Sequence, residues 1–301
     1  MRPTSIAAPA PTEFRIPFPM MVAAFCLLWA SAFSVAKLAM ADCPPLLLLT
    51  IRFLLAGVVV LGAAAAFGVP LKLDRRNLLL FATLGVANQA AYLGLGYIGL
   101  RSIPSGLSAL IVSANPVLAA VLAAVFLRER MTFRKIAGLL LGVGGVAFVV
   151  ESRLAGGLDP VGIAFTIAGL ISLVVGTILF KRFAPTNGFW VGNGVQSLTA
   201  GVATLPFALG FENVGDIVPT WSLLAAMAYQ VLFVSVFAYL LWFQMLSVSG
   251  ATAASSYHFL MPPLGMLFGW LLLGEHVAAT ELLGIVPVAL GIYLVTRPTR
   301  I

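Results

Sequence analysis

The sequence predicts an all-α integral membrane protein: ten transmembrane helices arranged as two inverted five-helix repeats around a central cavity. Three observations predict it. Of 301 residues, 61% are hydrophobic and 9% charged, with a mean hydropathy of +1.08, whereas about a quarter of the residues of a soluble domain are charged. Ten apolar runs of about 17 to 27 residues follow one another, each long enough as a helix to cross about 30 Å of hydrocarbon. One design also occurs twice. Asn115 to Phe148 and Met261 to Leu294 pair Pro116 with Pro262, Glu129 with Glu275, Gly138 with Gly284 and Gly145 with Gly291, always 146 positions apart, as expected of a duplicated unit.

Taken in order, residues 1–17 are rich in Pro, Ala and Thr and read as a disordered cytoplasmic tail. The runs at 18–40, 45–67, 77–99, 104–127 and 134–150 form the first repeat, residues 18–151. Those at 160–180, 187–210, 220–246, 250–273 and 278–296 form the second, residues 152–301. A competing reading takes Ala30-Ser31-Ala32 as a signal-peptide cleavage site. Against it, the run continues apolar to Met40, and cleavage would strip one repeat of its opening helix.

Orientation follows from the cations. With the N-terminus inside, cytoplasmic segments hold Arg2, Arg15, Lys72, Arg75, Arg76, Arg128, Arg130, Arg134, Lys135, Lys181, Arg182, Arg297 and Arg300, whereas the outer loops hold Arg101 and Arg153. This positive-inside bias predicts that both termini are cytoplasmic. Five helices per repeat is an odd number, so the second copy inserts upside down, placing the Glu129 connection inside and the Glu275 connection outside.

The charge balance of +7 does not indicate nucleic acid, because the basic residues cluster in short loops between apolar runs. Cys26 and Cys43 lie roughly 25 Å apart along a helical first run and cannot pair. No metal or redox cysteine pattern is present. HExxH, paired-aspartate and GxxxxGK[ST] signatures are absent, which argues against an enzyme and leaves no cofactor implied. Glycines on the fifth and tenth helices (Gly138, Gly142, Gly145; Gly284, Gly291) suit close helix packing, either within one chain or at a homodimer seam.

Polar and aromatic residues gather near the middle of the third, fourth, eighth and ninth helices: Asn88, Gln89 and Tyr92; Ser108 and Asn115; Tyr229, Gln230, Ser235, Tyr239 and Trp242; Ser255, Tyr257 and His258. Asn88 and Tyr92, Ser235 and Tyr239, and Tyr239 and Trp242 share helix faces by spacing. Hydrocarbon offers amides and imidazole no partner, so these residues face a hydrated cavity or another helix. His258 has two readings, a proton-coupling group and a neutral hydrogen-bonding one. Pro116 and Pro262 predict matching mid-depth kinks, usable as hinges. Lys37 stands one turn from the outer end of the first helix and can snorkel to the interface. Arg52 lies about 10 Å into the second helix and has no acid at its depth.

Trp29, Ser31, Phe33 and Lys37 in the first helix, Arg52 in the second, and the P-x10-L-x-E pattern at Pro116, Leu127 and Glu129 resemble the EamA family of the drug/metabolite transporter superfamily. The pattern recurs at Pro262, Leu273 and Glu275. The second copy departs from it, with no counterpart of the Trp29-to-Lys37 motif from Val175 onward. The resemblance implies alternating-access export of a small amphipathic molecule, an amino acid foremost, from a bacterial inner membrane. Other substrates handled by the family, such as nucleotide sugars or cationic drugs, are the alternative. On this reading Trp29, Tyr92, Tyr229, Tyr239 and Trp242 line the substrate path, Asn88, Asn115 and His258 orient polar groups, and Lys37 or Arg52 attracts a carboxylate from the outer side. Its partners are then a small-molecule substrate and the bilayer.

Overall fold

A computed structural model describes residues 17–102, 111–112, 114–151, 159–183, 188–274 and 285–296, and they form helices joined by turns. The helices are α1 (Phe18–Met40), α2 (Pro45–Ala66), α3 (Arg75–Gly85, Val86–Ala91 and Tyr92–Leu100 in series), α4 (Asn115–Phe126), α5 (Phe133–Glu151), α6 (Pro160–Phe183), α7 (Phe189–Phe211), α8 (Trp221–Ser249), α9 (Ala251–Ser256, Tyr257–Leu260 and Met261–Leu273 in series) and α10 (Ile285–Thr296). Six of them, α1, α2, α3, α6, α7 and α8, are each long and apolar enough to cross a membrane. The two arms of α9 make a further span if taken together, and α4 and α10 are shorter apolar helices. The number of spans is thus less definite than the ten the sequence predicts: the fourth, ninth and tenth runs are broken or shortened among the described residues, and α5 is not among the six. The tail, Glu275, His276 and Gly284 lie outside those residues.

The packing follows the pattern of two interlocked copies. Second helix meets second helix (α2 on α7), fifth meets fifth (α5 on α10) and fourth meets fourth (α4 on α9), while α1 packs on α8 as α3 packs on α6. Small residues bring these helices together. A side chain at Gly57 or Gly201 would strike Leu198 or Leu54 across the α2–α7 seam. The glycine faces of α5 and α10 meet within this chain: a Cβ on Gly138 would lie 2.7 Å from the Gly291 carbonyl oxygen. Close backbone approach is what holds membrane helices together where burying apolar surface gains little.

Each end of the bundle is tied by a carboxylate at a helix N-terminus. Glu129 accepts from the Ala251 N–H (2.9 Å) and the Thr252 hydroxyl (2.6 Å), capping α9. Gly250 before it has φ +85°, and a Cβ there would come within 3.0 Å of the Glu129 carboxylate, so glycine suits this turn on two counts. Nearby, Lys181 Nζ donates to the Leu246 carbonyl (2.7 Å) and Arg182 to that of Phe126 (2.6 Å), at the C-terminal ends of α8 and α4.

At the opposite end Glu212 accepts from the Leu46 and Leu47 N–H groups (3.1 and 2.8 Å) and pairs with Arg101 at 2.5 Å. The Glu212 side chain is 2% exposed and that of Arg101 52%, so the two partners matter unequally. Arg101→Ala removes a solvent-screened partner and is expected to cost under about 1 kcal/mol. Glu212→Ala strands two N–H groups in the first turn of α2 and is expected to cost about 1–3 kcal/mol. Thermal unfolding of the purified variants compares them, and equal losses would refute the cap.

Candidate functional site

Two of the long helices change pitch at mid-length. In α3 the segment Val86–Ala91 is π-helical and carries Asn88 and Gln89; in α8 the segment Gln230–Ala238 is π-helical and carries Gln230 and Ser235. A π-turn frees backbone carbonyls from the regular ladder, and such turns recur at functional sites. Side chains of neighbouring helices take up these carbonyls here. Tyr239 donates its hydroxyl to the Asn88 carbonyl (3.1 Å), Ser172 to that of Ala87 (3.1 Å), and Asn193 its amide to that of Ser235 (2.8 Å).

Just past the π-turn of α8, rings of α1, α8 and α9 form a cluster. Trp29 stands 5.0 Å from Tyr239, and Trp242 stands 4.9 Å from the His258 ring at 84°, an edge-on contact. Phe25 bridges them, 5.2 Å from Trp29 and 5.4 Å from Trp242. All are buried, with Tyr92 in the same core. Of the rings that the sequence places around a cavity, Trp29, Tyr239 and Trp242 are thus packed together, directly or through Phe25, instead of standing apart across an open space. His258 Nδ1 lies 3.2 Å from the Ser255 carbonyl, which fits the tautomer protonated at Nδ1.

The interior also holds buried amides that lack partners among the described residues. Both side-chain polar atoms of Asn88, Gln89, Asn115 and Gln196 have none among the described residues, nor do His258 Nε2, Ser255 Oγ and Gln230 Oε1. Most buried polar groups in folded proteins are paired, so such a concentration makes this interior the candidate site. Asn88 fits against Gly176 of α6, where any side chain would collide with its amide.

The structure gathers Trp29, Tyr92, Tyr239, Trp242, His258, Asn88 and Asn115 in the interior. Tyr229 sits apart, half-buried, its hydroxyl 2.6 Å from Ser31 Oγ. Lys37 is exposed in the last turn of α1, whereas Arg52 is buried. Of the hinges, α9 bends by 41° between Ala251–Leu260 and Pro263–Leu273, spanning Pro262. The residues before Pro116 that would form the other arm of the first kink fall largely outside the described ones. Sequence reasoning missed Asn193, Gln196 and Ser197 on α7 and Tyr97 on α3, all buried. The three-and-four spacing of the α7 set was the available signal. The π-turns leave no signature in composition.

A pocket of about 520 Å³ lies at the Glu212 end and is lined among others by Cys43, Arg101, Glu212 and Asp216. Burial and then the Glu212 carboxylate push the Cys43 thiol up to about 11, leaving it protonated and unreactive at neutral pH.

A multi-span helical bundle with broken helices around a buried polar and aromatic centre defines a membrane transporter in architecture. The chain belongs to the EamA-like transporter family, whose profile matches residues 18–151 and 160–297. It is similar to the uncharacterized transporter YvbV of Bacillus subtilis, 26% identical over 93% of this chain and 92% of the relative. It is also similar to the uncharacterized inner membrane transporter YedA of Escherichia coli K12, 26% identical over 94% and 92%. A Chlamydia trachomatis protein described as an S-adenosylmethionine/S-adenosylhomocysteine transporter is 28% identical over 89% and 85%. A crystal structure of another protein superposes with a TM-score of 0.79 at 20% identity, covering 93% of this chain and 96% of the other, and shows the shared fold.

Proposed function

We propose that this transporter exports a small amphipathic metabolite, an amino acid with an aromatic or other neutral side chain, across a bacterial inner membrane by alternating access, with both termini cytoplasmic. The observation that carries the proposal is the buried cluster of Trp29, Tyr239, Trp242 and His258 in an interior that also holds unpaired amides. The rings offer apolar walls and attract an ammonium group by about 0.5–2 kcal/mol. Asn88 and Asn115 offer both donors and acceptors. The aromatic choice rests on a likeness to the aromatic amino-acid exporter YddG suggested by the sequence positions Trp29, Tyr92, Tyr229, Tyr239, Tyr257 and Trp242. The relatives named above give transport without fixing this substrate. In this scheme rocking about the Pro116 and Pro262 regions opens the ring cluster to one side at a time.

Proteoliposomes containing the purified protein are expected to accumulate labelled phenylalanine, methionine or threonine beyond empty vesicles. If none of the three accumulates, the amino-acid assignment is wrong. A second reading is favoured by the ring cluster together with the described specificity of the Chlamydia relative: an adenosyl sulfonium compound would stack its base and its cation on the same rings. Competition by unlabelled S-adenosylmethionine in those vesicles separates the two readings. Nucleotide sugars fit less well, since Arg52 is the one Lys or Arg buried among the described residues.

A further inference from the structure

The helical core holds a guanidinium that no carboxylate among the described residues balances. Arg52 lies seven residues past Pro45 in α2 and is 3% exposed. The acidic residues among the described ones, Asp42, Asp74, Glu129, Glu151, Asp159, Glu212 and Asp216, fall in connections or at helix ends, and none of them is recorded in an ion pair with Arg52. Its partners are neutral. Nε donates to Ser235 Oγ at 2.8 Å, and the guanidinium lies against the Tyr97 hydroxyl, with Tyr239 within electrostatic reach. Hydroxyls orient a guanidinium without cancelling its charge, and an intramembrane charge of this kind marks an ion or substrate path. Two neighbours tie the group to the ring cluster. Ser235 sits in the π-turn of α8, where its carbonyl is fixed by Asn193. Tyr239, four residues on, presents its ring to Trp29.

We propose that Arg52, Ser235 and Tyr97 form an anion subsite that receives the carboxylate of a zwitterionic or anionic organic substrate, with Tyr239 as the wall shared with the rings that hold its other end. This rests on the carrier reading above and narrows its two candidate cations to one, since Lys37 is exposed. A guanidinium suits a carboxylate because its planar fork matches the two oxygens. An inorganic anion such as chloride shares the chemistry and is separated by the test.

Thermal unfolding of the purified full chain is followed while benzoate, its neutral isostere benzamide, or chloride is titrated at constant ionic strength. The wild type is expected to bind benzoate about tenfold tighter than benzamide. Arg52→Gln should erase that preference without altering benzamide binding, and Arg52→Lys should keep part of it. Equal affinities for benzoate and benzamide in the wild type, or a preference that survives in Arg52→Gln, would overturn the subsite. Protection by chloride alone, with no further gain from benzoate, would overturn the carboxylate assignment. Should Arg52→Gln fail to fold, Tyr97→Phe and Ser235→Ala keep the charge. Each is expected to weaken benzoate several-fold and leave benzamide unchanged, and unaltered benzoate binding in both counts against the proposal. Flux separates the two levels of inference. Arg52-dependent benzoate binding without accumulation of phenylalanine, methionine or threonine sinks the amino-acid assignment alone. Phenylalanine transport by Arg52→Gln with the wild-type ratio of phenylalanine to phenylalaninamide sinks the subsite alone.

Discussion

Gly291→Leu is expected to prevent recovery of folded protein, whereas Gly144→Leu on the facing helix is expected to be tolerated. A Cβ on Gly291 would lie 2.5 Å from the Gly138 carbonyl oxygen and 2.7 Å from the Gly142 nitrogen, both backbone atoms that no rotamer change can move aside. The leucine must therefore push α10 off α5. Overpacking of well-packed cores costs about 1–3 kcal/mol and occasionally more; with backbone on both sides of the seam, the upper end applies. Gly142 has a second neighbour: a side chain there would collide with the ring of Phe259, next to His258 in α9. Separating α5 from α10 thus also loosens the helix that carries the site histidine. Gly144 has nothing within 4 Å of its would-be Cβ, so its substitution controls for insertion and for loss of a glycine as such. Size-exclusion profiles and unfolding temperatures of the two variants are the measurement. Similar behaviour of both would mean that the α5–α10 seam is not what holds these helices.

That seam shows what was legible in the sequence and what was not. The 146-residue offset, the apolar runs and the glycine faces follow from rules with a fixed period, and the helices follow in turn, whereas the pairing of like helices across the two copies came from the structure. Whether the glycines met within the chain or across a dimer needed coordinates. The ring and amide residues could be picked out because polar groups in hydrocarbon are costly wherever they occur. Which of them converge could not be, because convergence depends on helix rotation. Tyr229 occupies α8 as Tyr239 does, yet it turns to Ser31 while Tyr239 turns to Trp29 and Asn88. A π-turn lies between the two tyrosines and alters the phase of α8, which a constant 3.6-residue period cannot anticipate. Arg52 was singled out for its depth alone. Its hydroxyl partners come from α3 and α8, and no spacing rule within α2 announces them.

Trp242→Ala is expected to abolish transport, with Trp270→Ala as the unaffected control. Trp242 is 1% exposed and its ring contacts both Phe25 and His258, whereas Trp270 is 56% exposed on α9. Removing a buried tryptophan costs about 3–5 kcal/mol, so lost flux by itself would not distinguish a collapsed core from a missing substrate wall. Trp242→Phe resolves this, since it keeps an aromatic face and most of the packing. If Trp242 forms part of the substrate wall, the phenylalanine variant folds with a near-native unfolding temperature and transports with a raised KM and a kcat close to wild type. The reason is that a smaller ring gives a weaker cation and stacking surface while the edge-on contact to His258 can persist. If Trp242 only fills the core, flux and stability fall in proportion across the alanine and phenylalanine variants and KM stays fixed. His258, held at Nδ1 by the Ser255 carbonyl and free at Nε2, is the group whose orientation either variant would disturb first. A change in the pH dependence of flux in Trp242→Phe, absent from Trp270→Ala, would place His258 in contact with the transported molecule.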